Sequence, residues 1–262
     1  MIMKKVNSYV VGSLCFLISG FFLSACSENN GDGMGNSSMN VHMTDAPGPY
    51  DEVNVDVKGL EVHSDVNGWQ TIPLNNPGVY DLLKLTNGLD TLLGSVTVPS
   101  GTISQFRLTL GPNNTVKVNG TVFDLTTPSG QQSGIKIQVH ENLLPGITYD
   151  FTLDFDAGKS IVHTGNDRYI LKPVIRAVTA ANNGIISGQL NPVMVAQVQA
   201  ISNTGDTTGT YSDSTGAFQV IGLPAGTYQV DILPPSPYSD TTFSGVNVVN
   251  GQITPMGALN IQ

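Results

Sequence analysis

The sequence predicts an all-β protein that consists of two β-sandwich domains in tandem, and three observations lead to this fold class. Apolar and polar residues alternate over short runs, and turn residues interrupt those runs about every 8 to 12 positions. Helical periodicity is nearly absent. The composition also changes sharply after residue 180, which indicates a boundary between two domains.

The chain begins with the parts of a lipoprotein signal peptide, which we assign to residues 1–25. Lys4 and Lys5 form a basic start, Val10–Leu23 is an apolar run, and small residues precede Cys26. The apolar run is shorter than the roughly 20 residues that a membrane-spanning helix needs, and glycine and serine dilute it. The sequence therefore predicts cleavage before Cys26 and attachment of lipid to its thiol.

Residues 26–38 are polar and rich in glycine, so they predict a flexible tether. Stable anchoring needs at least two acyl chains, such as palmitate, because a single chain binds membranes only marginally. Ser27 is not the aspartate associated with retention in the inner membrane, so we expect the outer membrane of a Gram-negative cell. Glu28 and Asp32 only partly match an acidic export signal, so a periplasmic and a surface-exposed location both stay open.

The charge of the mature chain restricts its partners. Without Lys4 and Lys5 it has 9 basic and 20 acidic residues, a net charge of −11. Such a surface repels nucleic acid and anionic head groups. The expected partners are the membrane, through the lipid anchor, and a surface protein or a glycan. Cys15 leaves with the signal and Cys26 carries lipid, so no disulfide is expected and stability must come from the apolar cores.

The first domain is predicted over residues 39–180. Val53, Val55 and Val57 point to one side of a strand, while Asn54, Asp56 and Lys58 point to the other. The sequence of this domain also predicts, in chain order, a helical turn within Tyr80–Leu93, a half-buried strand at Phe106–Leu110, a hairpin turn at Asn119-Gly120, an aromatic strand at Tyr149–Phe155 and a closing strand at Arg168–Val178. These signals together predict a sandwich.

Several short segments of this domain resemble a known family: Met43–Pro47, Val53–Val57, Gly68-Trp69, Asp81–Leu83, Phe106–Leu108, Leu153–Ala157 with Ser160–Val162, and Leu171–Arg176. Over about residues 40–179 the chain is similar to the bacterial lipoprotein family known as domain of unknown function 4382. The resemblance implies a β-sandwich and a location in the cell envelope, and it implies no activity.

The second domain is predicted over residues 184–262. Residues 181–262 contain no lysine, arginine, glutamate or histidine. Six strands are expected, with a seventh needed to complete the sandwich: Ile185–Leu190, Val193–Ile201, Ala217–Ile221, Thr227–Leu233, Val246–Val249 and Met256–Ile261. Asp213 and Gly216 suit one turn, and Pro224 and Gly226 suit another.

Four motifs of this domain resemble the carboxypeptidase regulatory-like domain, a transthyretin-like sandwich: Ile186–Leu190, Val195–Ala200, Asp213–Phe218 and Gly222–Tyr228. The resemblance implies a seven-strand fold and a non-catalytic accessory module. Tyr228 alternates with Val230 and Ile232, so we expect it in the core.

Carboxylates are the first candidates for chemistry. Asp45, Asp154 and Asp156, with Asp51, Glu52 and Asp56, could surround a calcium ion, which takes six to eight oxygen ligands. None of them forms a ligand loop of recognisable spacing, and Asp45 is better explained as the cap of a turn. The sequence therefore predicts no metal site and no cofactor.

For the other candidate functional residues, a structural role is the better explanation. The four histidines, His42, His63, His140 and His163, lack the close spacing of a zinc motif. Gly158-Lys159-Ser160 matches only the end of a phosphate-binding loop, so a turn is expected. Trp69, the only tryptophan, suits either an exposed platform for a sugar ring or a core anchor, and we expect the core.

The function expected from the sequence is non-catalytic: binding, adhesion or organisation of the envelope. Two alternatives stay open. The chain could be a glycan-capture accessory of a nutrient-uptake system, with Trp69 as the candidate contact. It could also be an envelope hydrolase that uses the paired carboxylates Asp154 and Asp156.

Overall fold

The computed structural model of the chain describes residues 35–46, 48–127 and 133–262. The predicted signal peptide, the lipidation site Cys26 and residues 26–34 of the predicted tether lie outside the described residues. The described part is almost entirely β-structure, with one 3-10 turn at Leu82–Lys84 and one helical turn, α1, at Ala157–Ser160. The predicted all-β fold class is therefore confirmed.

In the described residues, the first sandwich contains thirteen strands: β1 (Asn36–Ala46), β2 (Glu52–Ser64), β3 (Gly68–Thr71), β4 (Gly78–Asp81), β5 (Thr91–Pro99), β6 (Gly101–Leu110), β7 (Thr115–Val118), β8 (Thr121–Thr126), β9 (Ile135–Leu143), β10 (Thr148–Asp156), β11 (Ile161–His163), β12 (Tyr169–Leu171) and β13 (Ile175–Thr179). One sheet has the order β13-β10-β1-β5. The other has the order β11-β12-β8-β7-β2-β6-β9, and β3 and β4 also pair with β2.

The alternation of apolar and polar residues along the strands decides which side chains form the core of this sandwich. Val53, Val55 and Val57 of β2 are fully buried, and so are Phe106 and Leu108 of β6, the strand that pairs with β2 in the same sheet. Asn119 and Gly120 join β7 to β8 with φ angles of 49° and 80°, the left-handed conformation that this two-residue turn requires. The 3-10 turn and the strand at Tyr149–Phe155 also appear where the sequence predicts them.

Asp56 departs from the expected pattern, because it lies on the polar side of β2 and is nevertheless fully buried. Lys58 Nζ lies 2.8 Å from one carboxylate oxygen, and Asn113 Nδ2 donates to the other at 3.0 Å. Gly111, which has no side chain, lets the β6–β7 connection lie against this carboxylate. Local partners therefore bury a charge that the alternation alone assigns to the surface.

Two boundaries also differ from the sequence-based expectation. β1 begins at Asn36, so residues 36–38 belong to a strand and not to the tether. The closing strand predicted at Arg168–Val178 is divided into β12 and β13, because Pro173 has no N–H to donate to a neighbouring strand and Val174 N donates to Ser160 Oγ instead.

The second sandwich contains the seven strands expected: β14 (Gly184–Asn191), β15 (Gln197–Ser202), β16 (Thr207–Tyr211), β17 (Ala217–Leu223), β18 (Gly226–Leu233), β19 (Thr241–Val248) and β20 (Ile253–Asn260). They form a three-stranded sheet, β17-β14-β20, and a four-stranded sheet, β16-β15-β18-β19. Tyr228, Val230 and Ile232 are all buried between these sheets, as expected.

The two sandwiches have separate apolar cores within one compact unit, Met34–Gln262. A short turn at residues 180–183 connects β13 to β14, where the sequence places the domain boundary. The apolar cores are separate, and the side chains of Arg176 and Asn87 bond from the first sandwich to the second.

Candidate functional site

The three candidate carboxylates lie near the ends of two adjacent strands of the first sandwich. β1 and β10 run parallel, with Thr44 beside Asp154 and Ala46 beside Asp156. Asp45 therefore lies one position from Asp154 across the sheet. This end of the sheet faces β16 and β17 of the second sandwich.

Asp154 is buried and paired with Arg176. Arg176 Nε donates to Asp154 Oδ2 at 2.7 Å, and Nη2 lies 2.6 Å from the same oxygen. Burial raises the pKa of Asp154, while the charge of Arg176 and its hydrogen bond pull the pKa back down. One cation therefore offsets much of the cost of burying this carboxylate.

Arg176 also crosses the junction between the sandwiches. Its Nη1 donates to Thr208 Oγ1 in β16 at 3.1 Å, and its Nη2 donates to the carbonyl of Ile221 in β17 at 2.7 Å. A loop of the first sandwich makes a second contact with the second sandwich, through Asn87. Asn87 Nδ2 donates to Asp213 Oδ2 at 2.6 Å and to the carbonyl of Ala217 at 3.2 Å.

Asp45 and Asp156 both bind the start of α1. Asp45 Oδ1 accepts a hydrogen bond from Ala157 N at 3.0 Å, and Asp156 Oδ1 accepts one from Lys159 N at 2.9 Å. Lys159 Nζ lies 2.8 Å from Asp156 Oδ2. Burial raises the pKa of Asp45 well above its usual value, the bond from Ala157 lowers it, and the charge of Asp154 raises it further.

This arrangement favours structural roles for the three carboxylates. Asp154 is neutralised by Arg176, Asp156 is neutralised by Lys159, and Asp45 caps a helical turn. Within residues 35–46, 48–127 and 133–262, no three histidine, cysteine or acidic side chains are grouped so as to hold a metal ion. A cleft of about 190 Å³ lies at the same junction, lined by Thr44, Asp90 and apolar residues of both sandwiches.

Trp69 lies at the surface and not in the core, so the expectation of a core anchor is wrong. Trp69 is 36% exposed. The guanidinium carbon of Arg107 lies 3.8 Å from the centre of its ring, and His63 meets the ring edge-on at 5.0 Å. Trp69 is in β3, a four-residue strand, and its neighbours cover only part of the indole. Burial statistics for tryptophan could not reveal this position.

The remaining candidates stay apart in the described part of the chain. His42 pairs with Asp90 at 2.8 Å, His63 contacts Trp69, and His163 stacks on Tyr169 at 4.7 Å. Gly158-Lys159-Ser160 forms α1, which confirms the expected turn. Among the residues described, no helix is both long enough and apolar enough to cross a membrane.

Comparison with solved structures found weak similarity to several proteins, two of which are pilins. The chain covers 34% of the Bacillus anthracis TIE protein, with 87% of its own length aligned at 13% identity and a TM-score of 0.24. For the minor pilin GBS52 of Streptococcus agalactiae, 87% of this chain aligns with 95% of that chain at 10% identity and a TM-score of 0.26. For a variant of the shaft pilin SpaA of Lactobacillus rhamnosus GG, the coverages are 87% and 96%, at 9% identity and a TM-score of 0.22.

These likenesses are too low to carry an argument about function, and no curated protein matches the chain. The chain spans about a third of the first of these structures. A family profile gives a clearer result, because residues 36–173 match it, and that segment is more than half of the 262 residues. The chain belongs to the family described as "Domain of unknown function (DUF4382)".

Proposed function

We propose that this chain is a lipid-anchored protein of the cell envelope that acts without catalysis, in binding, adhesion or envelope organisation. The proposal rests on the contacts that Asp45, Asp154 and Asp156 make near the junction of the two sandwiches. Asp154 holds Arg176, Asp156 holds Lys159, and Asp45 holds the backbone of α1. The acidic groups best placed for chemistry are thus already engaged in contacts that stabilise the fold.

A hydrolase would need two carboxyl groups that face a substrate, one of which is free to carry a proton. Asp154 is 3% exposed, and Arg176 binds its Oδ2 atom twice. A substrate could reach Asp154 only by displacing the contact that joins the two sandwiches. This geometry favours the non-catalytic proposal over the envelope hydrolase.

The proposed location rests on the lipobox that ends at Cys26 and on membership of the family. The proposed accessory role of the second domain rests on its motifs and on its arrangement of three and four strands. A seven-strand sandwich of this kind supports a transthyretin-like module that resembles the carboxypeptidase regulatory-like domain. We propose that the protein lies at the outer membrane, on either the periplasmic or the surface-exposed side.

The anchor is tested by labelling with a clickable fatty acid. Wild-type protein should incorporate the label and fractionate with outer membranes, and Cys26→Ala should do neither, because the thiol that accepts the lipid is missing. Cys15→Ala is the matched control and should be labelled like the wild type, since Cys15 leaves with the signal. Label that persists in the Cys26→Ala protein would show that the lipid is attached elsewhere.

The non-catalytic role is tested by complementation of a deletion strain, scored by surface attachment and by envelope integrity. Asp156→Asn keeps a helix-capping oxygen and removes the acid, so it should restore the phenotype as well as wild type does. A hydrolase that uses the carboxylate pair would instead lose activity with this variant. Asp156→Asn protein that is present at wild-type level and fails to restore the phenotype would support the hydrolase.

Glycan capture is a second candidate, favoured by the exposure of Trp69. Aromatic side chains that stay partly exposed commonly present a face to ligands, and Arg107 and His63 hold this ring in place. Because Trp69 is the only tryptophan, its fluorescence reports binding directly. Titration with a panel of oligosaccharides should shift its emission saturably. Calorimetry, which does not need the tryptophan signal, should show binding lost in Trp69→Ala and kept in the control Tyr238→Ala, whose tyrosine is exposed on the second sandwich.

A further inference from the structure

An apolar turn lies at the end of the first sandwich where β1 begins. It connects β9 to β10 and comprises Leu144–Ile147; we call it the apolar turn. Leu144 is 55% exposed and Ile147 is 47% exposed. The stretch from Leu143 to Tyr149 has no charged side chain, although the chain as a whole is acidic. An uncharged, exposed aliphatic surface is therefore present at this end.

The apolar turn is bonded directly to the first residues of β1. Gly146 N donates to the carbonyl of Asn36 at 2.8 Å, and Ser38 N donates to the carbonyl of Ile147 at 3.0 Å. Ser37 Oγ donates to the carbonyl of Leu144 at 2.8 Å, and Ser37 is fully buried. The apolar turn thus has a fixed position relative to the start of the sandwich.

Chain length limits how far this end can lie from the proposed anchor. Gly35 follows Cys26 by nine residues, which span at most about 30 Å when fully extended. β1 then runs through 11 residues, about 35 Å, to Ala46 at the junction with the second sandwich. Along the chain, the end that carries the apolar turn therefore comes first after the proposed anchor, and the second sandwich lies at the other end of β1.

We propose that the apolar turn contacts the lipid surface in which Cys26 is anchored, so that the first sandwich rests on the membrane and the second sandwich points away from it. This inference rests on the proposed lipid anchor. Lipid is the occupant that fits, because the anchor keeps this end near the bilayer. Exposed leucine and isoleucine gain from leaving water there, and the uncharged turn avoids the repulsion that an acidic surface meets at head groups.

The test uses lipidated protein in phosphatidylcholine vesicles. Ile147→Cys supplies a thiol for an environment-sensitive fluorophore, because Cys26 is blocked by lipid in the proposed mature protein. The matched control is Ile253→Cys, on the second sandwich, where the native isoleucine is 57% exposed. Lipids that carry a nitroxide near the head group should quench the label at position 147 about threefold more than the label at 253, because an interfacial apolar segment enters about 5 to 10 Å into the lipid.

Equal quenching at the two positions, in protein that floats with the vesicles, would overturn the membrane contact and leave the anchor in place. Wild-type protein that does not float with vesicles would instead overturn the anchor on which this inference rests. A blue-shifted label at position 147 in protein free of vesicles would also overturn the contact, because it would show that a second protein copy covers the apolar turn.

Discussion

Asp45 is a buried acid that keeps one oxygen without a hydrogen-bond donor. Its side chain is 5% exposed, Oδ1 accepts from Ala157 N, and no donor meets Oδ2 among the described residues. Burial is the largest cause that raises the pKa of Asp45, and the charges of Asp154, Asp156 and Asp81 raise it further. The folded chain therefore binds a proton at Asp45 more tightly than the unfolded chain does.

The raised pKa of Asp45 predicts how the stability of the fold depends on pH. The contribution of Asp45 to stability is greatest below the usual pKa of an aspartate and falls as the pH rises from that value through the raised pKa of the folded state, by about 1.4 kcal/mol for each pH unit in between. Asp154, whose pKa is also raised, adds a slope of the same sign. Asp45→Asn should reduce this loss, because the amide keeps the acceptor and has no charge to bury.

Urea denaturation of residues 34–262 at several pH values between 4 and 8 measures the effect. At the upper end of this range Asp45→Asn should be more stable than wild type by about 1 kcal/mol or more. The exposed Asp240→Asn is the control and should follow the wild-type curve. An Asp45→Asn protein that loses stability with pH as steeply as wild type would show that Asp45 does not cause the loss.

Tyr228 offers a second test at the residue scale. Its ring lies in the second core, and its hydroxyl donates to the carbonyl of Pro224 at 2.9 Å. Tyr228→Ala should cost about 3 to 5 kcal/mol, because it removes a buried aromatic ring and leaves a cavity. Tyr228→Phe is the matched control and should cost only about 1 kcal/mol, the net value of one hydrogen bond. Equal urea midpoints for wild type and Tyr228→Ala would place the ring outside the core.

Residues that follow strand alternation were predictable, and residues fixed by long-range partners were not. The alternation of Tyr228 with Val230 identifies the core face because the side-chain period of a strand is two. The surface position of Trp69 depends on the length of β3 and on the Arg107 guanidinium, which comes from β6. The buried state of Asp56 depends on Gly111 and Asn113, about 55 residues away in the sequence.

At the scale of elements, one strand of the second sandwich was missed because it contains no buried apolar side chain. β16 (Thr207–Tyr211) was not predicted, because it contains threonine and glycine with no apolar alternation. It is nevertheless a strand, since it pairs with β15 along its whole length. For the candidate site, the sequence did not show which cations would neutralise the buried acids. Arg176 lies 22 residues beyond Asp154, and only the pairing of β10 with β13 brings them together.

Arg176 connects three elements, β10, β16 and β17, so its removal should weaken the junction. Arg176→Ala would leave Asp154 buried without its cation, which typically costs about 3 to 5 kcal/mol, and we expect about 2 to 3 because the arginine side chain is 34% exposed. Thermal denaturation of residues 34–262 should show the loss. The exposed Arg168→Ala is the control and should be close to wild type.

A double variant separates the ion pair from the other contacts of the arginine. In Asp154→Asn with Arg176→Ala, no buried charge is left unpaired, so the loss should be smaller than in Arg176→Ala alone. An Arg176→Ala protein as stable as wild type would mean that solvent, and not this arginine, stabilises Asp154.

At the scale of the whole molecule, the second sandwich has the parts of an independent folding unit. All fourteen buried apolar residues of its core lie between Ile186 and Ile261. Its links to the first sandwich are polar, chiefly the bonds made by Arg176 and Asn87. Polar links of this kind are typical of interfaces between domains that fold separately. The predicted division at residues 180–184 therefore remains a prediction with a physical basis in the arrangement of the cores.

Residues 184–262 expressed alone should give a single cooperative thermal transition and dispersed amide resonances. The midpoint should lie below that of the same sandwich in residues 34–262, because the isolated piece loses the bonds from Arg176 and Asn87 while it keeps its whole core. The Arg176→Ala variant of residues 34–262 is the matched comparison, since it removes one of these links without cutting the chain, and its second sandwich should melt between the other two. An isolated piece with poorly dispersed amides and no transition would show that the second core depends on the first, and the division at residues 180–184 would have to be abandoned.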